Sequence, residues 1–311
     1  MLFKILAVAA AITGAFAQRP SNTSICDYYT TALLKNNTAA NQEKLITFIV
    51  NTAVIGNYTT PNIGISVPGI LTAGTYNGTR VNLLPYFNGA LASTNRGGVG
   101  RSVNFLDGGG AAPLVQNKPA NSTSSNQYIL LTHLYEYFGA LFGCSGVGTA
   151  DYPVYNGLGS QYQVHKFMGL SHAQVGYFIE QVALSAASFG VGQSDLMIVG
   201  NALNNLFNYR CAPPTVVIPI QGAQFQSICL DNTCPISRNS TCFSYDSTTK
   251  PAPANSTNMF TPNATTTKTG SKTSSLATAT VSPPPKASHG GAVSVGMSFA
   301  VVAGGLAALF L

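Results

Sequence analysis

The chain has 311 residues, of which 45% are apolar and only 8% are charged. The charged fraction is about a third of what soluble proteins usually carry. The net charge of +6 comes from 15 basic and 9 acidic residues, and the basic residues form no run. Binding of nucleic acid needs clustered cations, so the composition argues against a nucleic-acid partner. We expect solubility to come from Asn, Ser, Thr and Gly on the surface, helped by glycans.

The first 17 residues have the pattern of a secretory signal peptide. Lys4 supplies a basic start, an apolar run covers residues 5–12, and the small-residue motif A-F-A ends at Ala17. Cleavage after Ala17 is therefore predicted, which places the mature chain in an oxidising compartment outside the cytosol.

Helical periodicity predicts most of the folded part. Apolar residues recur at helical spacing in four stretches, and a short helical segment around His165 precedes the third. These stretches are residues 42–55, 126–143, 171–189 and 194–207. Ser171 followed by Gln174 is a capping-box pattern, and Gly190 stands where a helix C-terminal cap is expected.

Two stretches between these helices lack helical periodicity. Residues 57–80 and 92–125 are rich in Gly, Asn, Ser and Thr. They are predicted to be long loops, with short strands such as Gly64–Val67. The sequence therefore predicts a mainly α fold with long loop insertions.

Six cysteines follow the signal peptide: Cys26, Cys144, Cys211, Cys229, Cys234 and Cys242. An even number in a secreted chain indicates disulfides, although the sequence does not choose among the 15 ways of pairing six cysteines. No C-x-x-C occurs, which argues against a zinc knuckle or a thioredoxin-like site. Residues 211–245 are expected to form a small stapled tail that contains the extended run Thr215–Ile220.

The C-terminal part has the composition of an anchor preceded by a spacer. Residues 246–291 are rich in Ser, Thr and Pro, as in an O-glycosylated stalk. Residues 292–311 are uncharged and apolar, as in a GPI-attachment signal that is removed, with a single membrane span as the alternative. Eight N-x-S/T sequons fit a surface glycoprotein: Asn22, Asn36, Asn57, Asn77, Asn121, Asn239, Asn255 and Asn263.

Catalytic motifs are missing from the sequence. It contains no G-x-S-x-G esterase elbow and no H-E-x-x-H zinc motif. A glycosidase pair could arise only if the fold brought together two of the carboxylates Asp107, Glu136, Asp151 and Glu180. A secreted hydrolase therefore has no motif in its support.

Residues 164–191, VHKFMGLSHAQVGYFIEQVALSAASFGV, resemble the proximal half of the truncated globins. Upstream, LLTHLYEYFGALFG resembles the distal helix of that family, and NLLPYFNG resembles the corner that packs on haem. The resemblance implies a truncated, 2-over-2 helical globin-like domain over residues 18–210, with insertions at about 57–80 and 92–125. The distal Tyr of the family has no clear counterpart here, because Ala53 or a neighbour stands in its place.

The resemblance also implies a haem cofactor with His165 as the axial iron ligand. His133 would be either a distal ligand or a partner of the haem propionates, unless it is simply a residue at the solvent edge. The apolar wall of the haem pocket would comprise Phe87, Leu130, Leu134, Phe138, Val175 and Phe178.

Two functions follow as expectations. The first is an extracellular, cell-surface haem-binding protein that serves gas or redox chemistry or haem capture, with a diatomic gas as a second partner. The alternative is a non-enzymatic cell-wall or adhesion glycoprotein that keeps a globin-like skeleton without haem. Both would be tied to the membrane through a GPI anchor, and the second could contact cell-wall polysaccharide.

Overall fold

The computed structural model describes residues 18–60 and 62–260. The predicted signal peptide, the sequon at Asn263 and the predicted GPI signal lie outside these residues. The described chain belongs to one compact unit, which ends at Phe260. Its helices are α1 (Ile25–Leu34), α2 (Ala39–Ile55), α3 (Leu84–Phe87), α4 (Ala111–Leu114), α5 (Asn126–Leu141), α6 (Gln161–His165), α7 (His172–Ser188) and α8 (Gln193–Phe207). Its strands are β1 (Gly74–Tyr76), β2 (Thr79–Val81), β3 (Asn88–Arg96), β4 (Val99–Asn104), β5 (Thr215–Val216), β6 (Ala223–Gln224) and β7 (Met259–Phe260).

Helix boundaries follow the hydroxyl residues in the sequence. In five helices the preceding Ser or Thr accepts a hydrogen bond from the backbone N–H three residues further on, which satisfies one of the unpaired N–H groups of the first turn. These residues are Ser24, Thr38, Ser125, Ser160 and Ser171. At Ser171 the reciprocal bond from its N–H to Gln174 completes the predicted capping box. The four predicted helices are confirmed as α2, α5, α7 and α8, of which α8 starts after Gly192 without such a cap.

Helix α2 lies at the centre of the helical layer. Eleven of its 17 residues are buried, and it packs against α1, α5 and α7. Phe48 stacks on Phe189, just past the end of α7, with ring centroids 5.8 Å apart. Ser185 of α7 donates a hydrogen bond of 2.6 Å to the carbonyl of Ile49, which holds the two helices in register.

The prediction of a mainly α, truncated-globin-like fold is wrong. The chain is mixed, about 39% helical and 14% strand, and its strands form three small sheets. Helical periodicity cannot reveal strands of two to nine residues, and the Gly- and Asn-rich stretches that resembled loops contain the turns between such strands. The expected strand at Gly64–Val67 is not formed.

The first insertion, 57–80, contains the hairpin β1–β2. Its two-residue turn is Asn77-Gly78, and both residues have positive φ (46° and 79°). Asn-Gly is the preferred sequence for this turn because its twist matches that of the flanking strands. The hairpin packs against α7, where the hydroxyl of Tyr177 donates to the carbonyl of Thr72 at 3.0 Å.

The second insertion contributes to a three-stranded sheet, β3–β4–β7. The antiparallel pair β3–β4 turns at Gly97-Gly98, both at positive φ, and β7 pairs with β4 in parallel. Helix α6 packs on β3. The 92–125 stretch therefore supplies a hairpin that lies directly against the segment carrying His165.

All six cysteines are paired, as predicted. Cys211 joins Cys242 within the expected tail, Cys229 joins Cys234, and Cys26 joins Cys144 across the helical core. The extended run at 215–220 is only partly a strand, because a 3₁₀ turn covers Pro219–Gln221.

The fold continues beyond residue 245, where composition had suggested a stalk. Ala92 donates its N–H to the carbonyl of Ala252 at 2.8 Å, and Ala254 donates to Ala90 at 2.9 Å. Tyr245 packs on Tyr162, with ring centroids 4.5 Å apart. The segment after residue 245 therefore hydrogen-bonds to β3 through residues 252–254 and to β4 through β7. Within the described residues, no helix is long and apolar enough to cross a membrane.

The disulfides are expected to contribute unequally to stability. The Cys26–Cys144 bond closes a loop of 118 residues and the Cys229–Cys234 bond a loop of 5. Loop-closure entropy predicts a loss of about 5 kcal/mol for the Cys26→Ala/Cys144→Ala variant and about 2 kcal/mol for the Cys229→Ala/Cys234→Ala variant. Denaturant unfolding of both variants measures these losses, and equal losses would contradict the loop-length explanation.

Candidate functional site

His165 is the last residue of α6, which begins after Ser160. Its Nδ1 lies 2.8 Å from the carbonyl oxygen of Gln161, one turn earlier. Since a carbonyl can only accept, Nδ1 carries the hydrogen and Nε2 keeps its lone pair. Burial lowers the pKa of His165 below its ordinary value of 6.5, although the bond to Gln161 works in the opposite direction. The ring is therefore neutral at pH 7.

Two other parts of the chain contact the residues on either side of His165. Asn95 of β3 donates from Nδ2 to the carbonyl of Gln163 at 2.9 Å. Lys166 forms an ion pair of 2.7 Å with Asp246. The ring of Phe167 packs against Gly100 of β4 so closely that a Cβ there would lie 2.9 Å from it. The β3–β4 hairpin and the chain after 245 thus occupy the space around α6.

The residues predicted to form one haem pocket are divided between two separate places. Leu134, Phe138 and Phe178 line a cavity of about 20 Å³ between α2, α5 and α7. Phe87 and Leu130 line another of about 10 Å³. Val175 is buried in the core at 1% exposure. Neither cavity is lined by His165 or His133.

This arrangement does not fit haem. A pocket for a cofactor-sized ligand measures about 300–1,000 Å³, whereas each of these two cavities has room for about one water molecule. An axial ligand also needs an apolar slot in front of its free nitrogen. Neither cavity lies against His165, and we derive no chemistry through haem.

His133 lies on α5, far from α6 in sequence, and faces the loop before α6. Its Nε2 is 2.9 Å from Oδ1 of Asn156, and its ring meets Tyr155 edge-on, with centroids 5.3 Å apart. Burial lowers its pKa, with a smaller opposite effect from Asn156. These contacts fit a neutral histidine that fastens the loop to α5.

Glu136, one turn after His133, entered the sequence analysis only as one of four carboxylates that a glycosidase pair could use. It is only 9% exposed, and its Oε2 has no hydrogen-bond partner. Burial raises the pKa of Glu136 from its ordinary 4.5 to about 7, and the charge of Glu43 adds to the rise. The backbone N–H of Asn156 acts in the opposite direction. The position of Glu136 between Tyr135 and Tyr137, in an otherwise apolar helix, was the feature of the sequence that could have indicated a buried carboxyl group.

Other carboxylates have structural roles. Asp107 accepts from the backbone N–H groups of Asn126 (3.1 Å) and Gln127 (2.9 Å) and so caps the start of α5. Asp195 pairs with Arg19 at 2.8 Å and accepts from the hydroxyl of Tyr29 at 2.9 Å. No group of three or more His, Cys, Asp or Glu side chains arranged to hold a metal ion occurs within residues 18–60 and 62–260.

The sequons share solvent exposure, a property that only the structure shows. The seven that fall within the described residues all have an exposed asparagine: Asn22, Asn36, Asn57, Asn77, Asn121, Asn239 and Asn255. Asn57 and Asn255 use Oδ1 to accept backbone N–H groups, which leaves Nδ2, the atom that carries a glycan, without such a bond.

Comparison with protein-family models, curated proteins and solved structures finds no match for this chain.

Glu136 should make stability depend on pH. Its folded pKa of about 7 lies above the unfolded value, so its stabilising contribution is complete below about pH 4.5 and is lost as the pH rises through 7. We expect Glu136→Gln to change the free energy of unfolding little at pH 5 and to raise it by about 1–3 kcal/mol at pH 8. Denaturant unfolding at the two pH values measures this.

Glu180→Gln is the matched control, because burial also raises the pKa of Glu180 on α7, but that residue is exposed and neither of its oxygens is buried without a partner. It should change stability by less than Glu136→Gln at pH 8. An equal effect of Glu136→Gln at pH 5 and pH 8 would show that the carboxyl does not titrate in the folded protein.

Proposed function

We propose that this chain is a non-enzymatic glycoprotein of the cell surface whose folded head is a structural or adhesive unit. The observation that carries the proposal is the exposure of every sequon asparagine that the structure describes. Asparagines that carry glycans must reach solvent, and a chain with 8% charged residues gains solubility from them.

The closed core supports a role without catalysis. Catalytic and cofactor sites are concave and bring several polar groups together on one cavity. The two cavities described above are lined almost wholly by apolar side chains and have room for about a water molecule each. His133 and Glu136 each contact Asn156, in the loop before α6, and so serve to hold that loop on α5.

The disulfides support a location outside the cell. Three disulfides and no free cysteine among the described residues indicate an extracellular or secreted protein. The finer proposal is a GPI anchor, which rests on the sequence of residues 292–311 and on the Ser/Thr/Pro-rich chain that precedes them. Cell-wall polysaccharide is the partner that such a head would contact.

Haem binding at His165 is the competing proposal. The observation in its favour is the Nδ1 bond to Gln161, which leaves Nε2 as a neutral acceptor of the kind that ligates iron. The packing of β3–β4 around α6 weighs against it.

Glycan occupancy tests the leading proposal. Protein released from cells by phosphatidylinositol-specific phospholipase should lose mass when treated with peptide N-glycosidase, with each occupied asparagine converted to aspartate. We expect Asn121→Gln to remove one glycan, because Asn121 is exposed within an N-S-T sequon. Asn117→Gln is the control, since Asn117 is an exposed asparagine outside any sequon, and it should leave the mass of glycan unchanged.

Two results would contradict this proposal. Unmodified asparagine at all seven described sequons would remove its main support. Protein that stays in the membrane fraction with residues 292–311 intact would contradict the anchor.

A haem titration separates the two proposals. A non-enzymatic head predicts no sharp Soret band at one haem per chain when haem is added to the secreted protein. A stoichiometric band that disappears in His165→Ala and persists in His133→Ala would instead support the haem proposal, provided that circular dichroism shows unchanged helix content.

A further inference from the structure

The first residues after the predicted cleavage site are held against the start of α8. Arg19 donates from Nε (3.0 Å) and Nη2 (2.8 Å) to one carboxylate oxygen of Asp195, and from Nη1 to the carbonyl of Thr23. Asp195 belongs to the first turn of α8, and its side chain is only 5% exposed. A charge-assisted pair with a buried carboxylate fixes the position of Arg19.

Gln18, the preceding residue, is in the opposite situation. It is exposed, and no hydrogen bond within the described chain restrains its side-chain amide. Its backbone nitrogen and its side-chain carbonyl carbon can therefore approach each other without breaking any contact of the fold.

A charged amino group at residue 18 is not needed by the contacts around Arg19. Asp195 accepts hydrogen bonds from Arg19 and from the hydroxyl of Tyr29. Conversion of the amine to an uncharged lactam nitrogen therefore breaks none of these contacts.

We infer that the mature chain begins with pyroglutamate, formed from Gln18 after the signal peptide is removed. The amino nitrogen of Gln18 attacks its own side-chain carbonyl carbon, and a new amide bond closes a lactam ring. The bond from that carbon to the side-chain nitrogen breaks, and a proton passes from the attacking nitrogen to the departing ammonia. The step consumes no other reactant, and it rests on the secretory processing assumed in the proposed function.

The product would suit a protein exposed to extracellular enzymes. The lactam has no basic amine, so an aminopeptidase that requires one cannot begin at this end. The neighbouring Arg19-Pro20 bond is a second obstacle to trimming, since proline lacks the N–H group and restricts the backbone.

The test uses the full chain secreted from eukaryotic cells. Free amines are methylated at the moment of harvest, so that a glutamine amine still present cannot cyclise later. After deglycosylation and chymotryptic digestion, mass spectrometry should find an N-terminal peptide that carries no methyl label at its N-terminus. Its mass should be lower by one ammonia than that of the peptide beginning with Gln18. The Gln18→Ser variant is the control, because serine cannot form the lactam and must take up the label.

The alternative outcomes are distinct. A labelled Gln18 amine in the wild-type protein would overturn this inference and leave the cleavage site intact. A peptide that begins at any other residue would overturn both the cleavage site and the inference, whatever the result of the glycan experiment.

Discussion

The burial of α2 on nearly all sides is the constraint on which the rest of the fold depends. Polar groups inside such a helix must find partners, because an unpaired buried group costs about 1–3 kcal/mol. Asn51 donates to the carbonyl of Leu114 at 3.1 Å and accepts from the hydroxyl of Tyr135 at 2.6 Å. Gln42 donates to Asp27 at 2.8 Å and accepts from the N–H of Gly146 at 2.7 Å. These bonds place α1, α4, α5 and the loop after α5 around one helix.

The same packing explains why the residues expected around haem do not form a pocket. Phe138 and Phe178 lie with their ring centroids 6.4 Å apart and fill the space between α5 and α7. Phe87 and Leu130 face a different cavity, next to α4. In a close-packed interior, side chains of the right type do not by themselves make a cavity. The β3–β4 hairpin packs on α6, the helix that carries His165.

Different interactions keep the surface soluble and hold the core together. A chain with few charges cannot rely on ionic groups for solubility, and its exposed sequons offer an alternative. Within the core, the long Cys26–Cys144 link and the bonds around Asp195 tie the N-terminal segment to α5 and α8. Glu136 is the carboxyl group among the buried polar groups that lack a partner, and its charge is tolerated only poorly at neutral pH.

The sequence by itself determined the four long helices, the cap of α7 and the fact that all six cysteines are paired, though not which pairs with which, because these features depend on local spacing or on simple counting. Ser171 and Gln174 specify the start of α7 within four residues of chain. Only the tertiary structure decided the rest. Strand β4 is hydrogen-bonded on one side to β3, which precedes it by a two-residue turn, and on the other to β7, far along the chain, and helical periodicity carries no trace of such partners. The burial of α6 and of Glu136 likewise depends on segments that are distant from them in the sequence.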